Sequence, residues 1–184
     1  AKEFGIQPVD PHARLSDIND RKNKLIKEFA DYRIEQLNDP RFTLIQEQAH
    51  FISPHEIRTG DQTLKAKSFI IATGSVIADY PVPGLEETGF VTSDDVLTMR
   101  EAPESIIVLG AGAVAVELAQ FLLRIGVKVT LLQRSPHILS KGDEDLARPV
   151  ETRFREEGMD LYTDTKILKA EKDGGNSVDR KSVV

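Results

Sequence analysis

Six consecutive residues carry the most specific chemistry in this chain: Gly110, Ala111, Gly112, Ala113, Val114 and Ala115. They follow an apolar run, Ile106–Leu109, and lead into a helically patterned stretch that stops at Gly126. A G-x-G-x-x-A turn between a strand and a helix is a seat for a dinucleotide pyrophosphate. Gly110 permits the tight turn. Gly112 lets backbone approach the phosphates with no Cβ between them, and Ala115 is small enough for the helix to pack closely on the strand. The helix then offers its unbonded N–H groups and the positive end of its dipole to the anion. A turn chosen only for packing would need none of this agreement between glycine spacing, preceding strand and following helix.

The residues that choose between the two nicotinamide dinucleotides fall about 20 positions further on, at the end of the next strand. An acid there accepts a hydrogen bond from the ribose 2′-hydroxyl. This chain has Gln133, Arg134 and Ser135 instead. No carboxylate is present to repel a 2′-phosphate, and the fork of donors on Arg134 suits one. The expected cofactor is therefore NADP, with NAD as the other option. The bland reading of Arg134 is an ordinary surface arginine.

These residues need elements to hold them. Ile106–Leu109, the helix 112–125 and Val127–Leu132 form a βαβ unit with parallel strands. A further amphipathic helix is expected over 143–157, stopped by Gly158, then strands at Met159–Tyr162 and Lys166–Ala170. Upstream, Ser16 and Asp20 offer caps for a helix reaching about Asn38, with Leu25, Ile26, Phe29, Tyr32 and Leu37 on a buried face. Short strands follow at Phe42–Ile52, His55–Thr59 and Gln62–Lys65, the last two joined by hairpin chemistry at Thr59–Gln62. Ser68–Ala72 shows no alternation and reads as a strand buried on both faces. The stiff Pro81–Gly84 segment is a candidate boundary.

Composition narrows the class. The chain has 184 residues, a net charge of −6, 40% hydrophobic residues and no cysteine. The acidic balance argues against nucleic acid. No apolar run approaches the ~20 residues that span a bilayer, and no export signal opens the chain, so a cytoplasmic protein is expected. Without cysteine there is no thiol redox chemistry or thiolate metal site in this span. His12, His50, His55 and His137 are scattered, so no metal is expected.

Several further blocks stand in a distinctive order: Ile70, Ile71, Ala72, Thr73, Gly74 and Ser75; Pro81–Gly84; Thr92–Asp94; the glycine turn running on to Glu117; Gly126–Thr130; and Leu139 followed by Asp143. In these the chain resembles the pyridine nucleotide-disulfide oxidoreductases, the family of dihydrolipoamide dehydrogenase, mercuric reductase and glutathione reductase, from roughly Gly5 to Ala170. The resemblance implies an α/β fold of two incomplete Rossmann-like domains, with a small β-meander in the first. Residues 1–90 match the later part of an FAD-binding segment, and 91–178 the front of an NAD(P)-binding domain. It further implies FAD contact at Ala72, Thr73 and Gly74 and near Ala49, a place for Glu117 beside the nicotinamide, and a homodimeric whole enzyme. The family's usual glycine is replaced by Glu47, and its second basic residue is missing near Ser140.

The expected function is that of part of an FAD-dependent NAD(P)H oxidoreductase, passing hydride to FAD and electrons on to a disulfide, metal ion or other acceptor. No residue of this span is singled out as acid, base or nucleophile. A redox-silent nucleotide-binding or sensory module reusing the fold is the alternative. The last six residues, Asp179–Val184, match a peptide that a common sequencing adapter encodes, and are expected to be a non-native tail.

Overall fold

The structure, a computed structural model, describes residues 14–78, 81–173 and 176–179. It divides into two compact units, one running up to Lys22 and again from Asp79, the other Asn23–Ala78. The Pro81–Gly84 segment thus lies just inside the first unit.

The first unit is built on a parallel sheet. Strand β4 (Ser105–Leu109) pairs with β5 (Lys128–Leu132), and β5 with β6 (Asp160–Tyr162), in the order β4-β5-β6. Helix α4 (Ala113–Arg124) links β4 to β5, and α5 (Glu144–Glu156) links β5 to β6. The two elements therefore alternate as an α/β fold requires. Central β5 has Val129 and Leu131 wholly buried, and α4 turns Val116, Ala119 and Leu122 into the core at helical spacing. Ala119 has no exposed surface, so nothing larger than a methyl fits between helix and sheet. The helix starts at α4 and α5 fall within a residue or two of the expected ones. The strand expected at Lys166–Ala170 begins only at Ala170, where β7 (Ala170–Asp173) pairs with β8 (Asn176–Asp179).

Before the sheet come the one-turn helices α2 (Leu85–Thr88) and α3 (Ser93–Val96). Thr92 caps α3 in a reciprocal box with Asp95. The crossing segment is stitched to the far end of the unit by the Ala170 N–H, which donates to the Pro83 carbonyl at 2.9 Å. Gly84 there takes φ 80°, and a Cβ on it would strike the Ala170 carbonyl oxygen. The start of α1 (Leu15–Leu37) belongs to this unit too. Asn19 is buried and donates to the Met99 carbonyl at 2.6 Å, and Arg100 pairs with Asp20.

The second unit holds the rest of α1 and an antiparallel meander, β1 (Ala49–Ser53), β2 (Glu56–Thr59) and β3 (Gln62–Lys65), in that order. Gly60, at φ 52°, turns β2 into β3, and Lys65 pairs across the ladder with Glu56 at 2.6 Å. Three expectations fail in this unit. Residues 42–48 form no strand, so β1 is only the last part of the expected Phe42–Ile52 element. The apolar face of α1 is not buried: Ile26 and Phe29 are 58% and 69% exposed. Ser68–Ala72 is neither a strand nor buried, with Ile70 95% exposed. The cause is shared. Among the described residues no strand lies beside 68–72, and nothing covers the apolar stripe of α1. A pattern suited to burial produces burial only where a partner is at hand.

One unit carries the parallel sheet and the other the antiparallel meander. The tail's residues 180–184 and the Ala1–Ala13 stretch lie outside the described residues.

Candidate functional site: a glycine turn and its facing loop

Each part of the turn is held by a separate constraint. Gly110 takes φ 87°, a left-handed conformation that favours glycine, and its N–H donates to the Leu132 carbonyl at 2.8 Å. The turn is thereby tied to the end of β5. Ala111 is buried, and its carbonyl accepts the Leu139 N–H at 2.8 Å. Gly112 is the extended N-cap of α4, and no side chain caps the helix. Gly112, Ala113 and Val114 are exposed, while Ala115 is half-buried. A Cβ built on Gly110 or Gly112 would meet no atom within 4 Å. The turn is thus an open backbone surface at a helix N-terminus, which fits a pyrophosphate lying directly on the peptide groups. Glu117, one turn further along α4, is exposed.

The segment after β5 folds back over this turn. Gln133 is buried: its N–H donates to Tyr162 at 2.8 Å, its carbonyl accepts from Thr165, and its side-chain amide lies 3.4 Å from the His137 carbonyl and 3.5 Å from Ser140 Oγ. Its side chain is engaged within the loop. Arg134 is exposed and forms no ion pair among the described residues, leaving its guanidinium free. Ser135 is half-buried, and its carbonyl accepts the Asp164 N–H at 3.1 Å. Chemically, the arrangement offers backbone donors at one end and a free cation at the other.

Two residues that the sequence did not single out anchor this loop from α5. Ile138 is wholly buried, and its N–H donates to Glu151 Oε1 at 3.0 Å. Arg148 donates to Glu151 Oε2 at 2.8 Å and reaches the Pro136 carbonyl at 3.4 Å. Burial pushes the Glu151 carboxyl up, but the Ile138 N–H and the Arg148 guanidinium outweigh it, so the group stays below the usual range and ionised. The signal was available: Ala147, Glu151 and Phe154 share one helical stripe, and a carboxylate on a buried stripe requires partners.

The residues assigned to FAD lie in the second unit. Ala49 opens β1 opposite Thr59, and Phe69 packs its ring edge-on against Phe51, at 5.1 Å between centroids. Ala72, Thr73 and Gly74 are exposed. Gly74 takes φ 79° with open space where a Cβ would stand. Backbone there can approach a ligand. Surface depressions beside Ser53, His55 and Lys65 and beside Tyr32 and Phe42 contain none of the expected site residues. Among the described residues no cluster of three His, Asp or Glu could hold a metal, and no helix is long and apolar enough to cross a membrane.

The pyridine nucleotide-disulphide oxidoreductase family pattern matches residues 5–183. The mercuric reductase of Staphylococcus aureus is 31% identical over 171 residues, covering 92% of this chain and 31% of the relative. The dihydrolipoyl dehydrogenase of Thermus scotoductus is 32% identical over 179 residues, covering 94% and 37%. Among solved structures, the HOCl-induced flavoprotein disulfide reductase RclA from Escherichia coli superposes with a TM-score of 0.81 at 26% identity, over 94% of this chain and 40% of that one. The fold is that of a flavoprotein disulfide reductase, present in part. The chain belongs to the pyridine nucleotide-disulphide oxidoreductase family, whose reductases use FAD and NAD(P)H. It spans about a third of the length of these relatives.

Proposed function

We propose that the chain is the junction of the flavin and nicotinamide segments of an FAD-dependent NAD(P)H oxidoreductase, and that the turn at 110–115 holds the nicotinamide dinucleotide. The observation that carries this is the open, uncapped start of α4, with Gly112 clear of any neighbour and Gly110 tied to β5. Backbone N–H groups there would bind the pyrophosphate, and Arg134 would take the 2′-phosphate, which makes NADPH the preferred donor. Ala115 sets the helix close to the sheet, and Glu117 lies on the exposed side of α4 toward the nicotinamide. In the second unit, Ala49 and Ala72–Gly74 would lie along the flavin nucleotide.

Bound nicotinamide and flavin supply hydride transfer between them; the protein supplies binding and orientation. Nothing in this span is suited to acid–base or nucleophilic work on the final acceptor. That acceptor is a disulfide, a metal ion or another oxidant, as the names of the relatives suggest. The whole enzyme is a homodimer, acts in the cytoplasm and needs no nucleic acid or membrane.

The test is an anaerobic titration of the whole enzyme with NADPH, followed at the flavin absorbance band. Stoichiometric bleaching is expected, at lower concentrations of NADPH than of NADH. A preparation without flavin that still binds NADPH would instead support a redox-silent module.

A further inference from the structure

The loop 134–139 carries the one free cation proposed for the 2′-phosphate, and Pro136 alone of its residues restricts the backbone by type. Its conformation is demanding: Leu139 takes φ 52°, rarely adopted by residues other than glycine. Its fixed points come from four directions. Leu139 donates to Ala111 in the glycine turn, the Ser135 carbonyl accepts the Asp164 N–H, Gln133 braces the His137 carbonyl, and α5 holds Pro136 and Ile138. Only the last uses charged groups. Glu151 is 2% exposed, and a carboxylate so deeply placed is costly unless it is paired and hydrogen-bonded. Here one oxygen receives the Ile138 N–H and the other receives Arg148, with the Arg155 guanidinium at 3.7 Å. Arg148 is anchored in turn by Glu144, four residues back.

We infer that the Arg148–Glu151 pair is a specificity-positioning device: by gripping Pro136 and Ile138 it fixes the segment that presents Arg134, and so sets discrimination between NADPH and NADH without touching either. This rests on the proposal that Arg134 reads the 2′-phosphate. A pair serving packing alone would have no reason to aim both members at backbone groups of the loop, two and four residues beyond Arg134. An apolar residue would fill the same space and stabilise the helix equally well. Preorganisation also explains the arrangement physically. A guanidinium on a fixed backbone loses less freedom on meeting a phosphate than one on a mobile loop.

The experiment uses the whole enzyme and measures equilibrium Kd for NADPH and NADH, with melting temperature alongside. Glu151→Leu keeps the volume and removes the acceptor for Ile138. It is expected to weaken NADPH about tenfold while changing NADH less than about twofold. Glu151→Gln, which keeps an acceptor oxygen, should restore most of the discrimination. Arg148→Met leaves Glu151 with the Ile138 N–H and the more distant Arg155, and should shift the ratio the same way by about threefold, read at a temperature below its measured melting point. A wild-type Kd ratio in either Glu151→Leu or Arg148→Met overturns the inference, as does an equal loss for both nucleotides. Arg134→Ala separates the two levels. If it shifts the ratio while the α5 variants do not, positioning alone is wrong. If it leaves the ratio unchanged, the assignment of Arg134 has failed and the inference falls with it.

Discussion

Two segments of this chain have the same local recipe, an apolar run leading into a glycine turn, and opposite structural fates. Ile106–Leu109 runs into Gly110, and Phe69–Ala72 into Gly74. The first is β4, laddered to β5 over five residue pairs, its turn fastened by hydrogen bonds to Leu132 and Leu139. The second makes no ladder, and Ile70 and Ile71 are 95% and 71% exposed. Both glycines take positive φ, so the turns are equally well specified. The difference lies in partners. β5 stands 19 residues beyond the end of β4, within one βαβ unit, whereas no described strand lies beside 69–72. Turn chemistry is local, but a buried strand is a property of its neighbours.

Hydrogen exchange on the 184-residue chain should separate the two segments most widely. Amides of β4 and β5 are expected to exchange at least about a thousandfold more slowly than those of 69–77, because one set opens only with its sheet and the other is not laddered. Equal protection in both segments would mean that 69–77 finds a partner after all. The same chain should carry no yellow flavin, since Ala72–Gly74, proposed to lie along FAD, sit on the open segment.

Within the ordered unit, Arg134→Ala in the whole enzyme should weaken NADPH by about 10- to 100-fold and leave NADH nearly unchanged, the worth of one charge-assisted contact. The kcat/KM ratio for the two nucleotides reports it. An enzyme that already favours NADH would contradict the NADP assignment.

The smallest effect concerns the clamp between the helices that flank the sheet. Arg124 at the end of α4 and Arg153 on α5 both bond Glu157, at 2.8 and 2.7 Å. Chiefly through the Arg124 hydrogen bond, the Glu157 carboxyl is pulled from 4.5 to about 2. A depressed acid contributes stability that is complete above its unfolded value and fades as pH falls through the folded one. The melting temperature should therefore decline between about pH 4.5 and 2, and Glu157→Gln should flatten part of that decline. Indistinguishable pH profiles would show that the clamp is screened by solvent.

Much of the ordered unit could be read from residue types. Gly126 and Gly158 end α4 and α5 as expected, and β5 reads as buried because Val129, Leu131 and Leu132 leave no polar face. Local punctuation and period suffice where the partner follows closely in the chain. The stripe of α1 shows the opposite: Leu25, Ile26 and Phe29 have ideal spacing and no described partner. Within the site, the six turn residues were legible because each glycine has a steric reason. The orientation of Gln133 was not, since its burial depends on a loop closed by Leu139, Ile138 and Glu151. A carboxylate 18 residues beyond Gln133 gives no local sign of gripping that loop.

Gly112→Val decides whether the 110–115 turn seats a dinucleotide. Gly112 has an ordinary extended backbone, φ −74°, and open space where the side chain would go, so the variant should fold, losing about 1 kcal/mol for a poorer N-cap. Gly84→Ala, at φ 80° against the Ala170 carbonyl, provides the contrast, with a loss of about 1–3 kcal/mol in stability. Titrated with NADPH and NADH in the whole enzyme, Gly112→Val is expected to bind neither while retaining its flavin. Wild-type affinity for both would contradict the claim and leave the turn as a packing feature.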